Sequence, residues 1–149
     1  MKHSFIYEST IECSAEELFA FHADTQNLSL ITPPWIKVDI LDYEPPMQEG
    51  KRVALRIKKW FISFEWELLF EEVTPPHEII DRSLRSPFKF FRHSHQFIPI
   101  NRNRTILKDT VTFALPLQPL SFPFVWLVKY DLKRMFHYRH AVTAKRLSK

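Results

Sequence analysis

From Trp35 to Leu115 the chain alternates apolar and polar residues with a period of two, and after Pro116 and Pro119 it changes to a helical period. Alternation over that length fits a meander of short antiparallel strands, each turning one face inward. Ile36, Val38 and Ile40 share one face, Val53, Leu55 and Ile57 a second, and Ile62, Phe64, Trp66, Leu68 and Phe70 a third, with Glu65, Glu67 and Glu71 behind them. Pro75-Pro76 and Ser86-Pro87 mark turns, so further strands run roughly over Glu78–Leu84, Phe88–Pro99 and Arg104–Leu115. Gly50, the only glycine, falls in a Pro-rich connection where a positive φ is most useful. Ahead of the meander, Phe5–Ile11 reads as a strand, and Ser14-Ala-Glu-Glu is a capping box that starts a helix. Thr32-Pro33-Pro34 ends any helical continuation. Behind it, Phe124, Leu127, Val128, Leu132, Met135, Phe136 and Val142 form one stripe along a long closing helix of about seven turns.

One strand carries the chemistry. Phe91, His93, His95 and Phe97 fall on one face, opposite Arg92, Ser94 and Gln96, so the two imidazoles point inward. On the last strand Asp109 lies in line with Leu107, Val111, Phe113 and Leu115. For odd residues of both strands to share a face, the connection around Asn101, Arg102 and Asn103 must be odd in length, and three residues with a left-handed Asn suit it. That register sets His95 beside Asp109, Phe97 beside Leu107, His93 beside Val111 and Phe91 beside Phe113. A turn centred near Pro87 brings Asp81 opposite His93.

A carboxylate beside an imidazole fixes its tautomer and stabilises its cation, so His95 with Asp109 is a candidate general base for an aldol-type cyclisation or dehydration. The same pairing also suits a purely structural buried pair. His93, His95 and Asp81 or Asp109 are ligand types suited to Zn²⁺ or Fe²⁺. The Gly-poor sequence and long closing helix do not match the double-stranded barrels that carry such sites, and neither a metal nor another cofactor is expected.

At 149 residues the chain is expected to form a single domain, 1–149, that buries roughly 68–70% of its unfolded surface. Fourteen Phe, four Trp and four Tyr predict bulky interior walls. Cys13 is the only cysteine, and the N-terminus has no continuous apolar run, which points to a reduced, cytoplasmic protein. The apolar tract from Phe122 to Val128 is too short to span a bilayer, and no stable membrane insertion is expected. Seven Lys or Arg against Asp131 alone fall between Lys129 and Lys149. They read as a solvated helix face, and because no RNA or DNA motif accompanies them no nucleic-acid partner is expected. His137 and His140 read as exposed, His22 as a packing residue, and Trp35 as a wedge.

Phe21-His22, Asn27-Leu28, Ile31-Thr32-Pro33-Pro34-Trp35, Pro87-Phe88, His93-x-His95-x-Phe97, Asp109, Leu115-Pro116 and Phe136-x-Tyr138-Arg139 follow one another in a set order. Together they resemble small bacterial SRPBCC proteins of the START and Bet v 1-like superfamily, over nearly the whole chain. The resemblance implies an α+β helix-grip fold, with a curved antiparallel sheet of about seven strands around the C-terminal helix and two short helices after the first strand. It also implies an internal cavity for a lipid-like or aromatic, polyketide-like molecule. Removing about 300 Å² of apolar ligand surface from water yields roughly 7.5 kcal/mol, and association costs at least several of these, so polar contacts must supply selectivity. The expected ligand-binding set is Trp66, Asp81, Phe91, His93, His95, Phe97, Asp109, Phe113 and Tyr138. Binding or transport without covalent chemistry is the expectation, and a cyclase or dehydratase acting through His95 and Asp109 is the alternative.

Overall fold

A computed structural model of the chain describes residues 1–148. The first strand, β1 (His3–Ile11), ends where Ser14 caps α1 (Ala15–Ala23). The Ser14 hydroxyl oxygen accepts the Glu17 N–H at 3.1 Å and donates back to the Glu17 carboxylate at 3.2 Å. A one-turn 3₁₀ segment (Thr25–Asn27) leads into α2 (Leu28–Ile31), which stops before Pro33-Pro34. There follow β2 (Ile36–Asp42), β3 (Arg52–Lys59), β4 (Ile62–Thr74), β5 (Glu78–Arg85), β6 (Phe90–Asn101) and β7 (Arg104–Ala114). The helix α3 (Val125–Leu147) closes the chain. Gly50 does adopt φ +87°.

The strands form one antiparallel sheet in the order β1-β7-β6-β5-β4-β3-β2. Every neighbour but one is a sequence neighbour, and the exception brings β1 back beside β7. The chain is thus an α+β helix-grip fold, with α3 lying across β1 inside the curve. No helix of the described residues is long and apolar enough to cross a membrane.

The β6–β7 register is the one the parity argument requires: His95 faces Asp109, Phe97 faces Leu107, His93 faces Val111 and Phe91 faces Phe113. Asp81 faces His93 across β5–β6. The odd connection is made differently from the expected three-residue loop. Asn101 pairs with Arg104 and Pro99 with Thr105, so the slip falls at Ile100 and the turn proper is Arg102-Asn103. Asn101 secures it by accepting the Asn103 N–H at 2.9 Å. Among the described residues the left-handed positions other than Gly50 are Trp60 and Leu117, not an Asn of this turn.

The closing helix departs from the expected stripe. Its buried residues are Leu132, Phe136, His140 and Thr143, while Phe124 and Leu127 are exposed. His140 is therefore interior, contrary to its reading as exposed. Spacings of four, four and three residues put all four side chains on one face, which meets both apolar and polar groups of the sheet. One apolar cluster contains Ile11, Leu18, Val53, Phe70, Phe97 and Leu107, and the other Phe91, Val111, Phe113, Leu132 and Phe136. Along the β6–β7 ladder the His and Asp side chains sit between the two.

Candidate functional site

Asp109 is the centre of the polar band. It is 3% exposed, and its two oxygens are shared by three imidazoles. The His93 Nε2–H donates to Oδ1 at 2.7 Å, and the His140 Nε2–H donates to Oδ2 at 2.5 Å. His140 Nδ1 accepts from the Ser9 hydroxyl at 2.6 Å, which fixes the tautomer carrying its proton on Nε2. His95 lies 2.9 Å from Asp109 Oδ1 through Nδ1 and 3.2 Å from Asp81 Oδ2 through Nε2. The Nδ1 contact is thus an ion pair at hydrogen-bonding distance. The side chains therefore cross the backbone register: His93 faces Asp81 along the strands yet bonds Asp109 diagonally, as side chains two residues apart on neighbouring strands can.

These contacts set the charges. Burial pulls His95 down, but hydrogen bonds and charge from Asp109 and Asp81 outweigh it and lift the ring to about 9. A neutral ring has one proton and cannot donate to two carboxylates, whereas the cation can. Asp109 resists the effect of burial because His140, His93 and His95 all bond it, and its carboxyl is held well below the usual range. His93 is pushed down by burial and by the neighbouring His95 cation, whose ring centroid is 3.7 Å away. His22 is pushed down to about 4, by burial and then by His95. Its Nδ1–H donates to the Leu18 carbonyl at 3.0 Å, which leaves Nε2 as a lone pair.

Between α3 and this band lies a void lined by His22, Ile31, His95, Leu107, Asp109, Phe136, Arg139, His140 and Thr143. Its volume is about 10 Å³, room for one water. The space beside the polar band is therefore narrow, and aromatic rings pack closely next to it. Trp66 meets Phe91 edge-on at 4.9 Å, Phe88 packs on Phe91 at 5.0 Å, and Phe136 on His93 at 5.1 Å. A larger depression of about 530 Å³ lies elsewhere, between Arg56, Glu65, Arg85 and Pro87, where ion pairs occupy its wall.

Of the expected ligand set, His95 and Asp109 line the void. Asp81 and His93 stand directly behind them, and Phe97 touches His22 at 5.2 Å. Trp66, Phe91 and Phe113 belong to the other aromatic group, and Tyr138 packs on Trp35 at 5.9 Å, away from the void. Sequence reasoning left Arg139 open between pairing with an acid and meeting a ligand head group, and it missed His140, Thr143 and Ser9 as site members. Its own stripe held the signal, because His140 is four residues beyond Phe136 and Thr143 three further on. Asp81, His93 and His95 place one ligand atom each within 4.8 Å of one another. Those atoms already serve the hydrogen bonds to Asp109 and Asp81.

Residues 11–137 match the family described as polyketide cyclase/dehydrase and lipid transport, and the chain belongs to that family. No curated protein matches it. Among solved structures, the Zhui aromatase/cyclase from Streptomyces sp. R1128 is 17% identical with a TM-score of 0.77, the alignment covering 97% of this chain and 93% of that one. A START superfamily protein from Mycobacterium smegmatis is 15% identical with a TM-score of 0.72, covering 97% of both chains. Norcoclaurine synthase from Thalictrum flavum is 11% identical with a TM-score of 0.73, over 99% of this chain and 94% of that one. At these identities the likeness is one of fold.

Proposed function

We propose that the chain binds a small, largely apolar molecule with an oxygen acceptor at one end, held between α3 and the β6–β7 face. One observation carries this reading: Arg139 Nε, in a cationic side chain at the void wall, is sealed from solvent and makes no hydrogen bond. Among the described residues Arg139 forms no ion pair; its guanidinium sits 5.6 Å from the Phe136 ring. A buried donor of this kind is costly unless met, and a carboxylate or carbonyl oxygen in place of the single water the void admits meets it. Trp66, Phe91, Phe97 and Phe113 then wall the apolar body, while Asp81, His93 and Asp109 hold His95, and Tyr138 borders the route past Trp35. The family's lipid-transport members agree with such a ligand. A reduced, cytoplasmic setting fits the lone, buried Cys13.

Native mass spectrometry of protein never exposed to organic solvent is the direct test, followed by thermal denaturation with fatty acids, their methyl esters and aromatic polyketones. A retained mass or a rise in Tm is expected, and Arg139→Leu should remove the advantage of an acid over its ester. No adduct and no rise across the panel would reject the reading.

A cyclase or dehydratase is the second reading, favoured by the family description and by neutral His22 facing cationic His95, ring centroids 5.9 Å apart. At neutral pH His95 has no lone pair, so it serves as the acid rather than the base that pairing with Asp109 implied. In a dehydration His22 Nε2 would take a proton from carbon, the His95 proton would leave with the hydroxyl as water, and a C=C bond would form. His22 at about 4 is a weak base and His95 at about 9 a reluctant acid, which ranks this reading below binding. Undiminished turnover of a β-hydroxy ketone in both His95→Gln and Asp109→Asn would eliminate it.

A further inference from the structure

One end of the molecule gathers exposed aromatic side chains from two distant parts of the sequence. The β3–β4 hairpin tip presents Trp60 at 71%, Phe61 at 97% and Ile62 at 52% exposure. The segment entering α3 presents Leu117, Leu120, Phe122, Phe124, Trp126, Leu127 and Tyr130. The two are tied together by the ion pair of Lys59, at the end of β3, with Asp131 on α3. Topology agrees, because Ile36 at the start of β2 pairs with Lys59, and His3 at the start of β1 pairs with Phe113 near the end of β7, so these ends lie on one side. His3 in turn touches Phe122 at 6.2 Å.

Exposed apolar residues are ordinary when scattered, and ten gathered at one end of a small domain are not. The charge around it has one sign: residues 58–62 and 117–134 hold Lys58, Lys59, Lys129, Lys133 and Arg134 against Asp131 alone. We propose that this end docks on an anionic lipid surface, with Trp60, Phe61, Trp126 and their neighbours entering the headgroup boundary and the lysines meeting lipid phosphates. Aromatic rings flanked by cations suit that boundary, where insertion of about 5–10 Å suffices. A second copy of the chain is the poorer occupant, because a two-fold interface sets the patch against itself and brings five cations to five. An acidic protein meets the charge, but tips as protruding as Phe61 fit a fluid medium rather than a shaped groove. The docking face stands whichever molecule the interior holds.

Vesicle co-sedimentation of the full chain tests it, with phosphatidylcholine alone and phosphatidylcholine mixed with phosphatidylglycerol, at low and high salt. Retention on the anionic vesicles only, weakened by salt and accompanied by a blue shift of tryptophan emission, is expected. Lys129→Glu with Lys133→Glu should weaken it roughly tenfold or more. Trp60→Asn with Phe61→Ser should weaken it at least as much, Asn being chosen because residue 60 has φ +57°. Circular dichroism and Tm serve to show that both variants fold. Absent retention, equal retention on neutral vesicles, or retention that neither variant changes would overturn the proposal. So would a lipid-free dimer that Trp60→Asn with Phe61→Ser dissolves, since the second copy would then own the face.

Discussion

Asp109 and Asp81 hold His95 as a cation while burial pushes His93 and His22 toward the neutral form, and this difference gives the fold a peaked stability profile. His95 titrates higher folded, at about 9, than unfolded, where about 6.5 is ordinary, so it contributes fully below pH 6.5 and loses that contribution as pH rises toward 9. His22, held down to about 4, works the other way: its contribution is present above 6.5 and is lost as pH falls toward 4, and His93 acts in the same direction. Urea denaturation across pH should show a maximum near 6.5. At about 1.4 kcal/mol per pKa unit, each limb is worth a few kcal/mol at most. His95→Gln should flatten the alkaline limb and His22→Gln should shrink the acid one, leaving the part that His93 supplies; an alkaline limb unchanged in His95→Gln would mean His95 is not the group held as a cation. Removing the shared charge is harsher. Asp109→Asn leaves the His95 cation buried with Asp81 alone and should cost roughly 3–5 kcal/mol. His95→Gln in the same chain should recover part of that loss, and simple additivity of the two costs would show that they do not interact.

At the scale of elements, α3 shows which positions hold the fold. Phe136 is 1% exposed between Phe5 and His93, and Phe136→Ala should cost about 3–5 kcal/mol, whereas exposed Leu127→Ala should stay within about 0.5. Equal costs for the two, measured by chemical denaturation, would show that the helix packs on the other face. The same helix marks the limit of what the sequence discloses. Strand faces are legible because a period of two admits only two answers, and the inward parity of Leu107, Asp109 and Val111 forced the register of β6 against β7. A helix offers many faces, and seven apolar residues define a stripe broad enough to swing either way. Extending it through Val142 instead of His140 and Thr143 treated polarity as exposure, although His140 is buried precisely because Asp109 and Ser9 meet it across the interface. The crossing of His93 to Asp109 and the slip at Ile100 depend on rotamers and local twist, which spacing does not encode.

For the whole molecule, the aromatic residues that promised a cavity pack closely beside the polar band. A void of about 10 Å³ holds one water, so a ligand of drug or lipid size enters only when side chains and a segment of backbone give way. The Lys59–Asp131 ion pair joins the end of β3 to α3, and the parting of the two is the opening we expect a ligand to need. Ligand affinity is then reduced by the fraction of molecules that are open. Two consequences can be measured. At a ligand concentration of about 100 Kd the folded state gains about 2.7 kcal/mol, which for a domain of this size raises Tm by roughly 5–11 °C. Stopped-flow fluorescence should give an observed rate that levels off with ligand concentration, because opening rather than encounter becomes limiting. Asp131→Asn, which releases the clasp without touching the polar band, should raise that plateau. A rate that climbs linearly toward about 10⁷ M⁻¹s⁻¹ with no plateau would mean that the ligand meets a pocket already open, and that the rings packed around His93 yield without a barrier.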